Sequence, residues 1–343
     1  MNILLSFNEA YASHAAAVIT GLICHSSQKL SIFVLHQNVT EETINKFEQY
    51  YSGRLKSIKF IKAELPPEIE SRLKGADTEF HLKGNLECWL RLFSPSFIEE
   101  DYVIWLDCDI VVTGDICRML DEVDNSYYIA ACKEYDPLYK LRRLDSLDRL
   151  NEPEDWKVHS IRDAHYYRTY KYYGIPHDVS YFCTGIMYIN LKKWREDHLE
   201  KEILKNLNDY DYFFAVDQDL LNSVLKGRFC ILSPKWNTLI LSRGCEANYD
   251  SASLQEAKDN PYIVHLTGLG KPWNEQMGGV YRKLYWEYRL DTPWPAKPNW
   301  KRCLKNKYIV VERLARAIFW LKKTFGAKKN YQTDKAISFF ARD

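Results

Sequence analysis

Compact apolar runs alternate with helically spaced stretches along the first hundred residues. Ile3–Phe7 is the first such run, and Tyr11–His25 then places Ala15, Val18, Ile19, Leu22 and Ile23 at helical spacing. Ser31–Leu35, Thr40–Tyr51 and Ser57–Lys62 continue as strand, helix and strand, the helix opening on Thr-Glu-Glu. This repetition predicts a parallel sheet with crossover helices. Glu87–Phe93 has a helical pattern, and Tyr102–Leu106 reads as a buried strand running straight into acidic residues.

Residues 136–180 show no clean period. They are dense in Tyr, Arg and Asp, most of all across Tyr166–Tyr173, and their length predicts an ordered insertion with short helices. Tyr181–Asn190 reads as a buried strand followed by a Lys-Lys-Trp-Arg turn, Asp217–Leu225 as a short helix, and Phe229–Leu232 as a strand. Tyr308–Lys323 is amphipathic and helical in pattern. No repeat and no Pro/Gly/Ser linker divides the chain. The expected organisation is one α/β domain over residues 1–300, with the 136–180 insertion, and a basic helical tail over 301–343.

Composition narrows the classes. Of the 343 residues, 46% are hydrophobic and 27% charged, which excludes a mostly disordered chain. The formal charge of +1 hides an asymmetry: residues 301–330 carry ten basic side chains against Glu312 alone, a net of +9. Residues 331–343 balance, which leaves −8 on residues 1–300. An acidic body argues against a nucleic-acid partner, while the basic tail fits an anionic surface. The nine cysteines are scattered and include no Cys-x-x-Cys, so the expected compartment is a reducing cytoplasm, with neither a disulfide framework nor a structural zinc site. The N-terminal residues lack a basic n-region, and no uncharged apolar run approaches the roughly 20 residues of a membrane span.

Four blocks carry candidate chemistry. Trp105-Leu106-Asp107-Cys108-Asp109 sets two carboxylates one residue apart at the end of an apolar strand, where ligands bind in an open α/β sheet. Strand alternation would send both to one side, within reach of a single hard cation, although a solvated acidic turn fits the same residues. His265-Leu266-Thr267-Gly268-Leu269-Gly270-Lys271-Pro272-Trp273 follows the strand-like Tyr262-Ile263-Val264. Its histidine is either a metal ligand or a satisfied core residue, and its glycines let backbone amides approach phosphate oxygens. Asp217-Gln218-Asp219-Leu220-Leu221-Asn222 is a polar cluster that could equally cap a helix. Tyr181-Phe182-Cys183-Thr184-Gly185 heads the strand that ends in Ile189-Asn190-Leu191-Lys192-Lys193-Trp194.

In order and spacing these four blocks resemble glycosyltransferase family 8, above all the bacterial lipopolysaccharide α-galactosyl- and α-glucosyltransferases, from Asn2 to about Trp273. The resemblance implies a GT-A fold, a mixed and mostly parallel sheet flanked by helices, and transfer of a hexose from a UDP-sugar with retention of configuration. The implied cofactor is Mn2+, with Mg2+ as a substitute, and the implied acceptor is an oligosaccharide or glycolipid. Asp107, Asp109 and His265 match the metal ligands. Asn8, Ala10 and Tyr11 match the uridine segment, Tyr11 at the stacking position. Arg91, Cys108, Glu134, Cys183 and Thr184 fall on the donor side, Gly268 and Lys271 match the diphosphate contacts, and Asp217 and Gln218 line the reactive face of the sugar. Cys183 stands where the family often has Asn, so galactose, glucose and N-acetylated donors stay open.

Same-face substitution through an oxocarbenium-like state is the expected chemistry, because the amide of Gln218 is a poor nucleophile. The tail, with Ile309, Val310, Ile318, Phe319, Trp320 and Phe325 beside its cations, is expected to hold the protein on the inner face of the plasma membrane, each basic group adding about 1 kcal/mol. A glycogenin-like or protein-directed transferase, a nucleotide-sugar hydrolase and a non-catalytic sugar-nucleotide or glycan binder are the competing readings.

Overall fold

Alternation along the central strands sorts their side chains into two cores. In β1 (Asn2–Ser6), Ile3 and Leu5 join one apolar cluster and Leu4 the other. The same division holds in β2 (Ser31–His36), with Ile32 and Val34 against Phe33 and Leu35, and in β4 (Tyr102–Leu106), with Ile104 and Leu106 against Val103 and Trp105. A sheet buried on both faces needs helices on both, so the chain is a three-layer α/β/α domain. The computed structural model describes residues 1–75, 86–134, 172–176, 178–210, 213, 215–239, 251–266, 271–274 and 280–298. The 301–343 tail, Gly268 and most of the 136–180 insertion lie outside the described residues.

The larger sheet adds β3 (Ser57–Lys62), β6 (Ile129–Lys133), β7 (Phe182–Asn190) and β8 (Cys230–Ile231), in the order β3-β2-β1-β4-β7-β6-β8. β3, β2, β1 and β4 are mutually parallel, and β7 runs antiparallel to both β4 and β6. A second sheet orders β5 (Ile110–Val112), β10 (Ile263–His265) and β9 (Thr238–Leu239) as β5-β10-β9. Strand order reverses at β1 and β4, so their carboxyl ends open the crevice that ligands use in such sheets.

Helices α1 (Ala12–His25), α2 (Glu41–Tyr51), α3 (Pro67–Gly75) and α4 (Glu87–Leu90) come first. α1 buries Ala15, Val18, Ile19 and Leu22 on one core face, as its periodicity requires. The Thr40 side chain caps α2 by accepting the Thr43 N–H, and Thr43, Phe47 and Tyr51 form its buried stripe at i, i+4 and i+8. After α4 the chain tightens into a 3-10 turn, Arg91–Ser96, that contains Pro95, so the helix expected over Glu87–Phe93 ends early.

α5 (Leu191–Glu196), α6 (Leu199–Asp209) and α7 (Asp217–Leu225) cover the opposite face, and α8 (Ser251–Asp259) and α9 (Val280–Leu290) follow. The expected Lys-Lys-Trp-Arg turn is therefore a helix. Asn190 caps it by accepting the Lys193 N–H at 3.0 Å, and Leu191 and Trp194 anchor it in the core. Burying each such side chain contributes about 1.5–3 kcal/mol. α1 and α9 pack closely: a Cβ at Gly21 would lie 2.8 Å from the Tyr288 ring. The seven described cysteines are all free. Among the described residues no helix is long and apolar enough to cross a membrane.

Candidate functional site

Asp107 and Asp109 meet His265 because two strand ladders each run one step beyond their last paired residue. The Asp107 N–H donates to the Gly185 carbonyl at 2.8 Å, continuing the β4–β7 pairing. The Leu266 N–H donates to the Asp109 carbonyl at 2.9 Å, continuing β5–β10, in which His265 faces Ile110. One ligand atom from each of Asp107, Asp109 and His265 lies within 4.8 Å of the others. His265 Nε2 is 3.2 Å from Asp109 Oδ1 and 3.8 Å from Asp107 Oδ2. Residues 107–109 form a bend between β4 and β5 rather than strand, so local alternation is not what joins the two acids.

The His265 Nδ1 side meets Asn237 Oδ1 at 3.0 Å, so a neutral ring that donates there presents the Nε2 lone pair to both carboxylates. Two carboxylate oxygens and one imidazole are a donor set that fits a divalent cation. β7 passes directly beneath: a Cβ at Gly185 would lie 2.3 Å from His265 Cε1 and 3.0 Å from Asp107 Oδ2, so glycine alone fits there. Although burial works against its charge, His265 and Lys271 hold Asp109 well below the usual carboxylate range. Burial likewise disfavours the charged imidazole, but Asp109 and Asp107 outweigh it and raise the His265 pKa. Lys271 forms an ion pair with Asp109 and donates to the Leu266 carbonyl at 2.8 Å, which aims its ammonium at the same spot.

Arg91 is 4% exposed and joins the acid pair to α7. Its Nη2 meets Asp107 Oδ1 at 3.0 Å, its Nη1 donates to the Thr184 carbonyl at 2.5 Å, and its Nε–H donates to the Cys88 carbonyl at 2.9 Å. The guanidinium also lies over the Trp105 ring, 4.2 Å from its centroid, and the Trp105 indole donates to Asp107 Oδ1. Asp217 Oδ2 sits 3.2 Å from Arg91 Nε without a hydrogen bond of its own. Burial outweighs the attraction of Arg91 and carries the Asp217 carboxyl up to about 6.

The 217–222 cluster does not cap a helix from outside. It forms the first turn of α7, entered through Val216 at φ 53 with no side-chain cap. Gln218 Oε1 accepts the Thr184 N–H at 3.0 Å, so the Gln218 amide lies beside the strand end that also holds Arg91. Asn222 fastens α7 to β7: its Oδ1 accepts the Phe182 N–H, and its Nδ2 donates to the Phe182 and Gln218 carbonyls.

The remaining expected residues are placed as follows. Cys108 and Cys183 are buried, and burial pushes both thiols up, so they are neutral lining groups. The Glu134 N–H donates to the Tyr181 carbonyl. Asn8 accepts the Tyr11 N–H in the 3-10 turn after β1, where Ala10 is exposed and Tyr11 is 36% exposed. Tyr11 stands edge-on to Trp273 at 5.9 Å, and the nearby charges of Asp109 and Asp107 add to burial in raising its pKa. Gly268 lies outside the described residues, so its diphosphate role rests on the sequence.

Trp273 stacks on His14 with ring centroids 3.8 Å apart, and His14 Nδ1 lies 2.6 Å from the Tyr285 hydroxyl. Burial, helped by Arg289, lowers His14 from an ordinary 6.5 to about 4. A base whose native pKa is lowered contributes stability in full above its unfolded value and loses it as pH falls toward the native one. About 2–3 kcal/mol should therefore disappear between pH ~6.5 and ~4. His14→Phe keeps a ring on Trp273 without the titration, so its urea midpoint is expected to fall less than the parent's between pH ~7 and ~4. Equal falls in the two proteins would rule this out.

Sequence reasoning missed Asn237 and His14, and it gave no role to Trp105 and Tyr181 although each opens a block singled out above. Trp105 was within reach, since it lies two residues before Asp107. Asn237 was not, because no local pattern connects it to His265, 28 residues later.

The model of Glycosyl transferase family 8 matches residues 2–277. General stress protein A of Bacillus subtilis is 22% identical over 87% of this chain and 96% of its own length. Lipopolysaccharide 1,2-glucosyltransferase of Escherichia coli is 27% identical over 60% of this chain, which spans 54% of that protein. Among solved structures, an active-site mutant of LgtC superposes with a TM-score of 0.65 at 18% identity, covering 88% of this chain and 99% of LgtC. The apo WbbM bifunctional glycosyltransferase gives 0.63 at 22% identity, over 86% of this chain and 50% of its own. At these identities the superpositions speak to the fold, which is GT-A.

Proposed function

The chain belongs to glycosyl transferase family 8, and from that premise we propose that it is a metal-dependent, retaining hexosyltransferase that moves galactose or glucose from a UDP-sugar to a saccharide acceptor. The observation that carries the reading is the convergence of Asp107, Asp109 and His265 within 4.8 Å at the crevice between β1 and β4. A divalent cation bound there, Mn2+ or Mg2+, supplies Lewis-acid neutralisation of the diphosphate. Asn237 supports it by holding the far nitrogen of His265.

The chain's own groups act on the donor around that point. Lys271 places a fixed positive charge where the departing diphosphate gains negative charge. Arg91, fixed by Asp107, the Thr184 carbonyl and Trp105, adds a second positive charge that needs no reorganisation. Tyr11 offers an exposed ring for the uracil, Asn8 holds the turn that carries it, and Gly268 enters as a diphosphate contact from the sequence resemblance alone. Glu134, Cys183 and Thr184 line the hexose side.

Asp217 and Gln218 orient the sugar. An amide is a poor nucleophile, so retention is assigned to same-face displacement. The anomeric carbon–phosphate oxygen bond breaks, the bond to the acceptor oxygen forms on that face, and the acceptor's proton passes to the departing phosphate oxygen. A covalent glycosyl adduct trapped on Asp217 would contradict this assignment.

The acceptor is taken to be an oligosaccharide or glycolipid of the lipopolysaccharide or cell-surface type, reached at the cytoplasmic face of the membrane through the basic 301–343 tail. This part of the proposal rests on sequence. The test is UDP release from UDP-galactose, UDP-glucose and their N-acetyl analogues after metal removal and Mn2+ readdition, with and without anionic vesicles. Turnover of one hexose donor only with metal, and vesicle binding lost on removing 301–343, are expected. Metal-independent release would reject the metal-dependent reading, absence of release from every donor would reject the catalytic one, and unchanged vesicle binding would reject the tail's role.

A further inference from the structure

We propose that Tyr181 is a positioning residue that fixes the amide of Gln218 at the reactive face, with Asp219 as its anchor. The inference rests on the reading of Gln218 as a residue that orients the sugar. The geometry settles each hydrogen in turn. A backbone N–H can only donate, so the Thr184 N–H fixes Gln218 Oε1 toward itself at 3.0 Å and sends Nε2 the other way. Nε2 lies 3.3 Å from the Tyr181 hydroxyl. That hydroxyl donates its single proton to Asp219 Oδ1 at 2.6 Å, so its oxygen is left to accept from Gln218.

Asp219 is fully buried and receives more than Tyr181. Tyr173 donates to its Oδ2 at 3.1 Å, and the Ala215 N–H donates to the same oxygen at 2.7 Å. The Ala215 contact pins the turn in which Val216, a β-branched residue, is held at φ 53, immediately before Asp217 and Gln218. One buried carboxylate therefore fixes the backbone entering α7 and, through Tyr181, the side chain at its second position. Both ends of the Gln218 amide are engaged, and one N–H and one Oε1 lone pair remain in reserve for a bound sugar.

Docking of α7 onto the sheet does not need Tyr181, because Asn222 already joins it to Phe182 by two hydrogen bonds. Tyr173 supplies the internal control. It gives Asp219 the same kind of hydroxyl bond, but among the described residues it does not meet Gln218. Tyr181→Phe and Tyr173→Phe thus each remove one hydroxyl bond from Asp219, and only the first also removes a hydrogen bond to the Gln218 amide.

The experiment compares kcat, donor KM and melting temperature for Tyr181→Phe and Tyr173→Phe, in the parent and in a Gln218→Ala background. Tyr181→Phe is expected to lower kcat by ~10–100-fold, with donor KM changed less than about threefold, as loss of orientation at the reacting centre demands. Tyr173→Phe should stay within about threefold of the parent kcat at a similar melting temperature. In the Gln218→Ala background the Tyr181→Phe effect should shrink to about twofold or less, the non-additivity of groups acting through one another. Equal kcat losses for the two tyrosine variants, or a full Tyr181→Phe loss on top of Gln218→Ala, would overturn the positioning role alone. A Gln218→Ala protein with parental kcat would overturn the reading of Gln218, and this proposal with it.

Discussion

An Asp109→Asn protein is expected to turn over UDP-sugar about 10³-fold more slowly than the parent at any Mn2+ concentration. The amide has the shape of the carboxylate but neither its charge nor its hardness as an oxygen donor. In the parent, that charge faces His265 Nε2 at 3.2 Å and pairs with Lys271. The substitution leaves Asp107 as the one carboxylate of the cluster and frees the Lys271 ammonium from its partner. The stability cost should be modest, about 1–2 kcal/mol, because the imidazole can return to its neutral form and the Lys271 side chain, 17% exposed, can reach water. Steady-state UDP release across a Mn2+ titration, beside a melting curve, decides it. Retention of a tenth or more of parental activity would remove Asp109 from the chemistry.

Arg91→Met should produce the largest loss of stability among single changes at the site, about 3–5 kcal/mol, together with loss of turnover. Met fills the volume over Trp105 but, among the described residues, leaves Asp217 buried beside no cation, and it strips Asp107 and the Thr184 carbonyl of a donor. The cost arises from the uncompensated carboxylate, so it can be relieved separately. Adding Asp217→Asn to Arg91→Met should restore most of the urea midpoint while leaving the enzyme inactive. A double variant as unstable as Arg91→Met alone would place the cost elsewhere, in the packing against Trp105 or the unmade bonds to backbone carbonyls.

The elements legible in the sequence were those with strong, uninterrupted periodicity. β2 and β3 begin, and β4 begins and ends, where the apolar pattern places them, and α7 spans the expected Asp217–Leu225. β5, β6 and β9 were not legible. Two or three residues of Ile110–Val112 or Thr238–Leu239 carry no measurable period, and the Ala130-Ala131 centre of β6 is too small to announce itself. α6 and α9 have apolar stripes, but neighbouring charged and aromatic residues obscured them. The Lys-Lys-Trp-Arg segment read as a turn because its helix is only six residues long and depends on the Asn190 cap and the burial of Trp194.

At the site, residue identities came from one dimension and their arrangement from three. Local chemistry in the sequence nominates Asp107, Asp109, His265 and Lys271, because carboxylates after a buried strand, a histidine at a strand end and a basic loop are one-dimensional signals, whereas Gln218 came from the family resemblance. That Asp109 and His265 come together across 156 residues depends on antiparallel pairing of β5 with β10, a long-range hydrogen-bond register that no local pattern encodes. The same holds for Asn237 behind the imidazole, Trp105 beneath Arg91, and Tyr181 beneath Gln218. A side chain's partner across a sheet or core is fixed by packing and register, and those exist only once the chain has folded.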